Sequence, residues 1–134
     1  MFEADLVAYL KADTAINTMT GGRVFPNIVP QGSAFPAISY NQVSAIRLRN
    51  VPDGPTGRAM PRISINSWAA KYLDVKNLSD AVRLRLDGFK GTMGTTNVGR
   101  ITLDNEFDDF AEEAGTSGVH RVMQDFIFSY IEGA

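Results

Sequence analysis

Apolar and polar residues repeat along this chain with two different periods, and the change from one to the other is clearest over residues 61–89, PRISINSWAAKYLDVKNLSDAVRLRLDGF. Ile63 and Ile65 take one side of an extended segment and Arg62, Ser64 and Asn66 the other, the two-residue period of a strand over 61–68. From there Tyr72, Val75, Leu78, Val82, Arg85 and Leu86 follow steps of three and four, which predicts an amphipathic helix over 69–86. Gly88 stands where a helix commonly ends in a left-handed residue.

The same reading extends to both ends. Phe2, Leu6, Tyr9 and Leu10 share one face of a first helix over 2–12. Residues 17–22, NTMTGG, read as a break. Residues 23–35, with Pro26, Pro30 and Gly32, read as an irregular extended stretch tacked down by Val24, Phe25, Ile28 and Val29. Residues 36–46 form a strand entered through Pro36, which suits a strand start or edge because proline lacks an N–H. It pairs most simply with 61–68 as an antiparallel hairpin around a long turn at 47–60, where Asp53-Gly54 is the tightest turn signal. A glycine-rich loop at 90–99 precedes a strand at 100–105, with Ile101 and Leu103 inward and Phe107 continuing their register. An acidic tract at 104–113 leads through a turn to a last strand over 119–131, in which Val122, Phe126, Phe128 and Tyr130 share a face. The expected fold is α+β: a mostly antiparallel sheet of about four strands with two helices packed on one face.

Composition narrows this picture. The 134 residues suit one domain spanning 1–134, and 44% hydrophobic with 21% charged residues suits a packed core. A net charge of −2 argues against nucleic acid as the main partner. The absence of cysteine removes disulfides, thiolate nucleophiles and cysteine-based zinc sites. Acids at Glu3 and Asp5 stand where a signal peptide would be basic, and no run reaches the roughly 18–20 apolar residues of a membrane span.

Candidate chemistry is sparse. His120 is the sole histidine, has no partner at a ligand or triad spacing, and is expected on the polar side of the last strand. Asp104, Glu106 and Asp108 alternate as in a calcium loop, but Phe110 and Ala111 follow where that loop needs glycine, so a solvated acidic edge is the simpler reading of the tract. Gly91, Gly94 and Gly99 lack the Gly-Lys-Ser/Thr ending of a phosphate loop. Arg47, Arg49, Arg58 and Arg62 crowd the long turn without interleaved aromatics; DNA contact, a protein acidic surface and a solvated loop all remain open for them. Trp68, Phe126 and Phe128 read as core.

Four places together resemble the phage tail completion proteins, or tail terminators, of long flexible-tailed phages: the N-terminal FEADLVAYLKAD followed by RVFP, the strand FPAISY, the segment LSDAVRLRLDG, and the closing strand HRVMQDFIFSY. The resemblance covers nearly the whole chain. It implies a non-catalytic, cofactor-free virion protein assembled in the host cytoplasm. Such a protein forms a ring, usually of six subunits, at the head-proximal end of the tail. There it stops tube growth and makes the tail side of the head–tail joint. The implied partners are other copies of the chain, the major tail tube protein and a connector or stopper protein, with non-specific contact to DNA in the channel left open. A neighbouring role, as stopper or head-completion protein, has the same ring logic. A closed ring needs two different complementary patches on each subunit. The candidate interface is Arg47, Arg49, Asp53, Arg58 and Arg62 against Asp104, Glu106, Asp108, Asp109, Glu112 and Glu113.

Overall fold

In the computed structural model, residues 2–30, 32–49, 57–111 and 118–132 are described, the side chains of 47–49, 111 and 132 excepted. The order of elements is α1 (Phe2–Lys11), α2 (Thr14–Thr20), β1 (Val24–Pro26), β2 (Ala37–Arg49), β3 (Gly57–Ala69), α3 (Tyr72–Leu86), β4 (Gly91–Met93), β5 (Thr96–Ala111) and β6 (Val119–Glu132). The strands form one sheet in the order β1-β2-β3-β6-β5-β4. β1 runs parallel to β2, and every other neighbouring pair is antiparallel.

This corrects the expected fold class. The sheet has six strands and is mixed, and there are three helices, not two. The two additional strands are three residues each, too short to show a period. β1 is set beside β2 by the Arg23 side chain, whose Nε donates to the Pro36 carbonyl at 3.1 Å, and by the Ile38 N–H, which donates to the Arg23 carbonyl at 2.9 Å. The expected break at 17–22 is mostly α2: the Asp13 carboxylate accepts the Ile16 N–H at 3.1 Å, and Gly21, at φ 62°, ends the helix. The expected loop at 90–99 is a hairpin in which β4 folds back on the start of β5.

Three features shape the sheet. The β2–β3 hairpin forms as the alternation predicts, but its strands extend through Arg49 and from Gly57, well into the expected turn. The β3–β6 ladder skips Met60 and Pro61, because proline cannot donate. β5 carries bulges at Gly99 and Asp104. The second bulge shifts the pleat by one residue, so Phe107 pairs with Met123 on the helix-free face and is 43% exposed. Phe107 therefore does not continue the inward register of Ile101 and Leu103.

The core lies between the helices and one face of the sheet. Ile38, Ile63, Ile65, Ile101, Phe126 and Phe128 meet Leu6, Leu10, Ile16, Leu78, Val82 and Leu86 there, all without solvent exposure. β6 sits between β3 and β5, which is why its alternating Val122, Phe126 and Phe128 are all buried. Phe2 anchors α1 by packing edge-on to Phe128 (5.1 Å) and stacking on Tyr130 (4.6 Å). Arg85 joins α1 to α3: its Nε and Nη2 donate to the Tyr9 carbonyl at 3.1 and 3.0 Å, and its guanidinium lies 3.7 Å from the Tyr9 ring centre.

Asp5 ties α1 to the β4–β5 turn. Its carboxylate accepts the Thr96 hydroxyl (2.6 Å), the Thr95 hydroxyl (2.9 Å) and the Thr95 N–H (3.3 Å). Gly94, at φ +59°, leaves room for that carboxylate, because a Cβ there would run into it. The Thr96 and Thr95 hydrogen bonds hold the Asp5 carboxyl below its ordinary range. A depressed folded value means that the tie is complete above the unfolded carboxylate pKa of about 4 and is lost as pH falls through the lower folded value. The stability gap between the native chain and Asp5→Asn should therefore shrink on acidification below about pH 4. Thermal unfolding of both from pH 7 to pH 3 checks this, and a gap independent of pH would contradict it.

Candidate functional site

The charged residues singled out in the sequence meet within one chain. Arg62, on the helix-free face, reaches Asp104 at 2.6 Å and Asp125 at 3.6 Å. Asp104 is the bulged residue of β5, and the bulge turns it toward Arg62. Beyond the bulge the pleat divides the acids: Asp109 shares the face of Phe107, while Glu106 and Asp108 point to the helix side. Lys76 of α3 donates to both oxygens of Asp108 at 3.2 Å, and that hydrogen bond raises the Lys76 pKa above its usual value. The Gln124 amide bridges Glu106 (2.8 Å) and the Ser79 carbonyl (3.1 Å). Arg121 pairs with Asp109 and lies over Trp68, 5.3 Å from its ring centre.

Every described carboxylate of the tract thus has a partner in its own chain. These exposed pairs stabilise the fold only modestly. They also divide the acids between two faces. Among the described residues no group of three or more His, Cys, Asp or Glu could hold a metal ion. Arg58 donates to the Ser129 hydroxyl at 2.7 Å, over Gly99, where a Cβ would crowd the guanidinium. Arg47 and Arg49 lie on β2 opposite Ala59 and Gly57. Asp53, Glu112 and Glu113 lie outside the described residues.

His120 is on the helix side of β6, paired with Ala69 and Phe110, and not on the polar side expected for it. Its ring lies tilted against Phe110 (4.7 Å) and edge-on to Tyr72 (5.7 Å). These aromatics line an open cleft of about 490 Å³ together with Val75, Asp108 and Val122.

What the sequence did not disclose is apolar exposure along both sides of the sheet. On β2, Val43 is 55% and Ile46 is 61% exposed; on β5, Phe107 is 43% and Phe110 is 47% exposed. β2 is shielded by β1 only as far as Tyr40, whose carbonyl accepts the Asn27 N–H at 2.7 Å. β5 is shielded by β4 and then by 87–89: the Gly88 N–H donates to Ile101, the Ile101 N–H to Phe89, and the Leu103 N–H to the Asp87 side chain. Among the described residues nothing pairs with either flank beyond these points. Among the described residues, two lateral strand edges, on β2 and on β5, are left without a strand neighbour.

A family model described as "Tail completion protein gp17" matches residues 4–130. No curated protein matches the chain. Among solved structures, the chain is similar to one in the virion of a native gene transfer agent particle. The TM-score is 0.74 at 16% sequence identity, over 96% of this chain and 93% of the other, so the two share a fold.

Proposed function

Because the chain belongs to the tail completion protein family, we propose that it assembles head-to-tail into a ring that caps the phage tail tube, stops its growth and forms the tail side of the head–tail joint. It is a structural protein of the phage tail. The ring, its place at the head-proximal end and the absence of catalysis are the proposal. The supporting observation is apolar side chains exposed on two opposite flanks, Val43 and Ile46 on β2 and Phe107 and Phe110 on β5. A twofold dimer would need one self-complementary patch, whereas a ring needs two different ones, and the β2 and β5 flanks are the two assigned to it in this reading.

The charged residues keep a part in this reading. Among the described residues, the four carboxylates Asp104, Glu106, Asp108 and Asp109 have three partner cations, Arg62, Lys76 and Arg121, which leaves a formal excess of one negative charge on this part of β5. Arg47 and Arg49 belong to β2 and supply the opposite sign in this reading, while the Arg58 guanidinium is held by Ser129. Opposite charge on opposite flanks steers copies into head-to-tail order and disfavours like flanks meeting.

The test is electron microscopy of isolated tails bearing the tagged chain, beside sedimentation of the purified chain at high concentration. The reading requires a discrete ring at one tail end and a single closed oligomer in solution. A ring inside the head-side connector would move the chain to a stopper or head-completion role. A chain that is monomeric in solution and spread along the tube would overturn the ring itself.

A further inference from the structure

Two strand edges with unmet main-chain groups rarely remain open on a protein that assembles. We infer that the ring, if the reading above holds, is closed by main-chain pairing: the outer edge of β2 in one subunit adds to the outer edge of β5 in the next, so that the sheets join into one continuous antiparallel sheet.

Four observations converge on this pairing. The first is polarity. β2, β3, β6 and β5 are successively antiparallel, so β2 and β5 run in opposite directions within one sheet. Copies placed side by side in the same orientation then meet as an antiparallel pair. The second is length. The open part of β2 begins at Asn41 and runs to Arg49. The open part of β5 begins at Asp104 and runs to Asp109, after which the Phe110 N–H is held by the Asp109 carboxylate at 2.7 Å.

The third observation is side-chain register. Ile46 pairs with Met60, on the helix-free face, and Phe107 pairs with Met123 on that same face. Setting Ile46 of one subunit beside Phe107 of the next matches the pleats. It also brings Arg47 into backbone register with Glu106, the position next to the apolar pair.

The fourth is geometry. The open half of β2 lies toward the Gly57 and Glu132 end of the sheet, and the open half of β5 lies toward the Ala69 and Val119 end. Pairing them staggers each subunit by roughly 20 Å along the strands for every four strand spacings of about 4.8 Å. That is a strand tilt of roughly 45°, near the 35–45° typical of closed barrels. Unstaggered copies would instead press the open part of β2 against the part of β5 already covered by β4 and 87–89.

The chain contains no cysteine, so introduced thiols report the contact directly. Ile46→Cys and Phe107→Cys in one chain should, on mild oxidation, give a ladder of cross-linked species ending at the ring. Either single variant alone should give no cross-link, because like edges do not meet. Phe107→Cys combined with Ser44→Cys or with Leu48→Cys covers a slip of two residues in either direction. Rings that form normally while none of the three combinations cross-links would overturn edge pairing and leave the ring reading standing. Cross-linked dimers from single variants would also overturn it. Absence of any ring at high concentration would overturn the reading on which the inference rests.

Discussion

Replacing Phe126 with alanine will destabilise the folded chain by about 3–5 kcal/mol, the usual cost of emptying a buried phenylalanine site. Phe126 has no solvent exposure, lies on the central strand β6 between Ile63 of β3 and Leu103 of β5, and packs near Phe128. Its neighbours come from three strands on a rigid sheet, so they have little freedom to collapse into the space. For a chain of this size the loss corresponds to a fall of roughly 10–20 °C in unfolding temperature, a large share of the total stability of a small protein. Thermal unfolding of the single variant measures it. A shift of only a degree or two would mean that β6 does not hold the core in this way.

The second large effect concerns assembly and should leave folding almost untouched. In the proposed ring, Arg47→Glu with Arg49→Glu reverses the charge contributed by β2 and sets it against the acidic β5 of the next subunit. Like charges brought together across an interface cost several kcal/mol, so ring formation should weaken by about 100-fold or more. Unfolding temperature is the control and should barely change if the effect is on assembly alone. Adding Glu106→Lys to the reversed chain should recover part of the assembly. Sedimentation of the three chains separates the possibilities. An unchanged oligomer in the double variant would remove charge from the account of the contact and leave main-chain pairing and apolar burial to explain it.

The long elements were legible because they are long. The period-two runs around Ile38, Ile63 and Phe126 and the helical stripe from Val75 to Leu86 repeat often enough to declare their period. What escaped was short or shifted. β1 and β4 have three residues each, and α2 depends on the Asp13 cap, whose partner is a main-chain N–H with no sequence signature of its own. These elements changed the fold class from a four-stranded antiparallel sheet to a mixed sheet of six strands with three helices.

The bulge at Asp104 had the widest consequences. One additional residue exchanged the faces of everything after it, moving Phe107 out and bringing Glu106, Asp108 and Phe110 to the helix side. A bulge leaves no periodic trace when the residues around it are mostly acids, because neither face then has an apolar register to break. The candidate interface was legible as charge but not as geometry. The sequence shows arginines and carboxylates far apart in the chain; folding brings Arg62 onto Asp104 and Lys76 onto Asp108. The open edges of β2 and β5 are properties of the whole sheet order and have no local signal.

The most direct measurement of the central claim is the length distribution of tails made in an infection in which this chain is absent. A ring that terminates the tube and joins it to the head predicts tails well beyond normal length, unattached to heads, with both defects restored when the chain is supplied. Tails of normal length joined to filled heads in its absence would contradict the account.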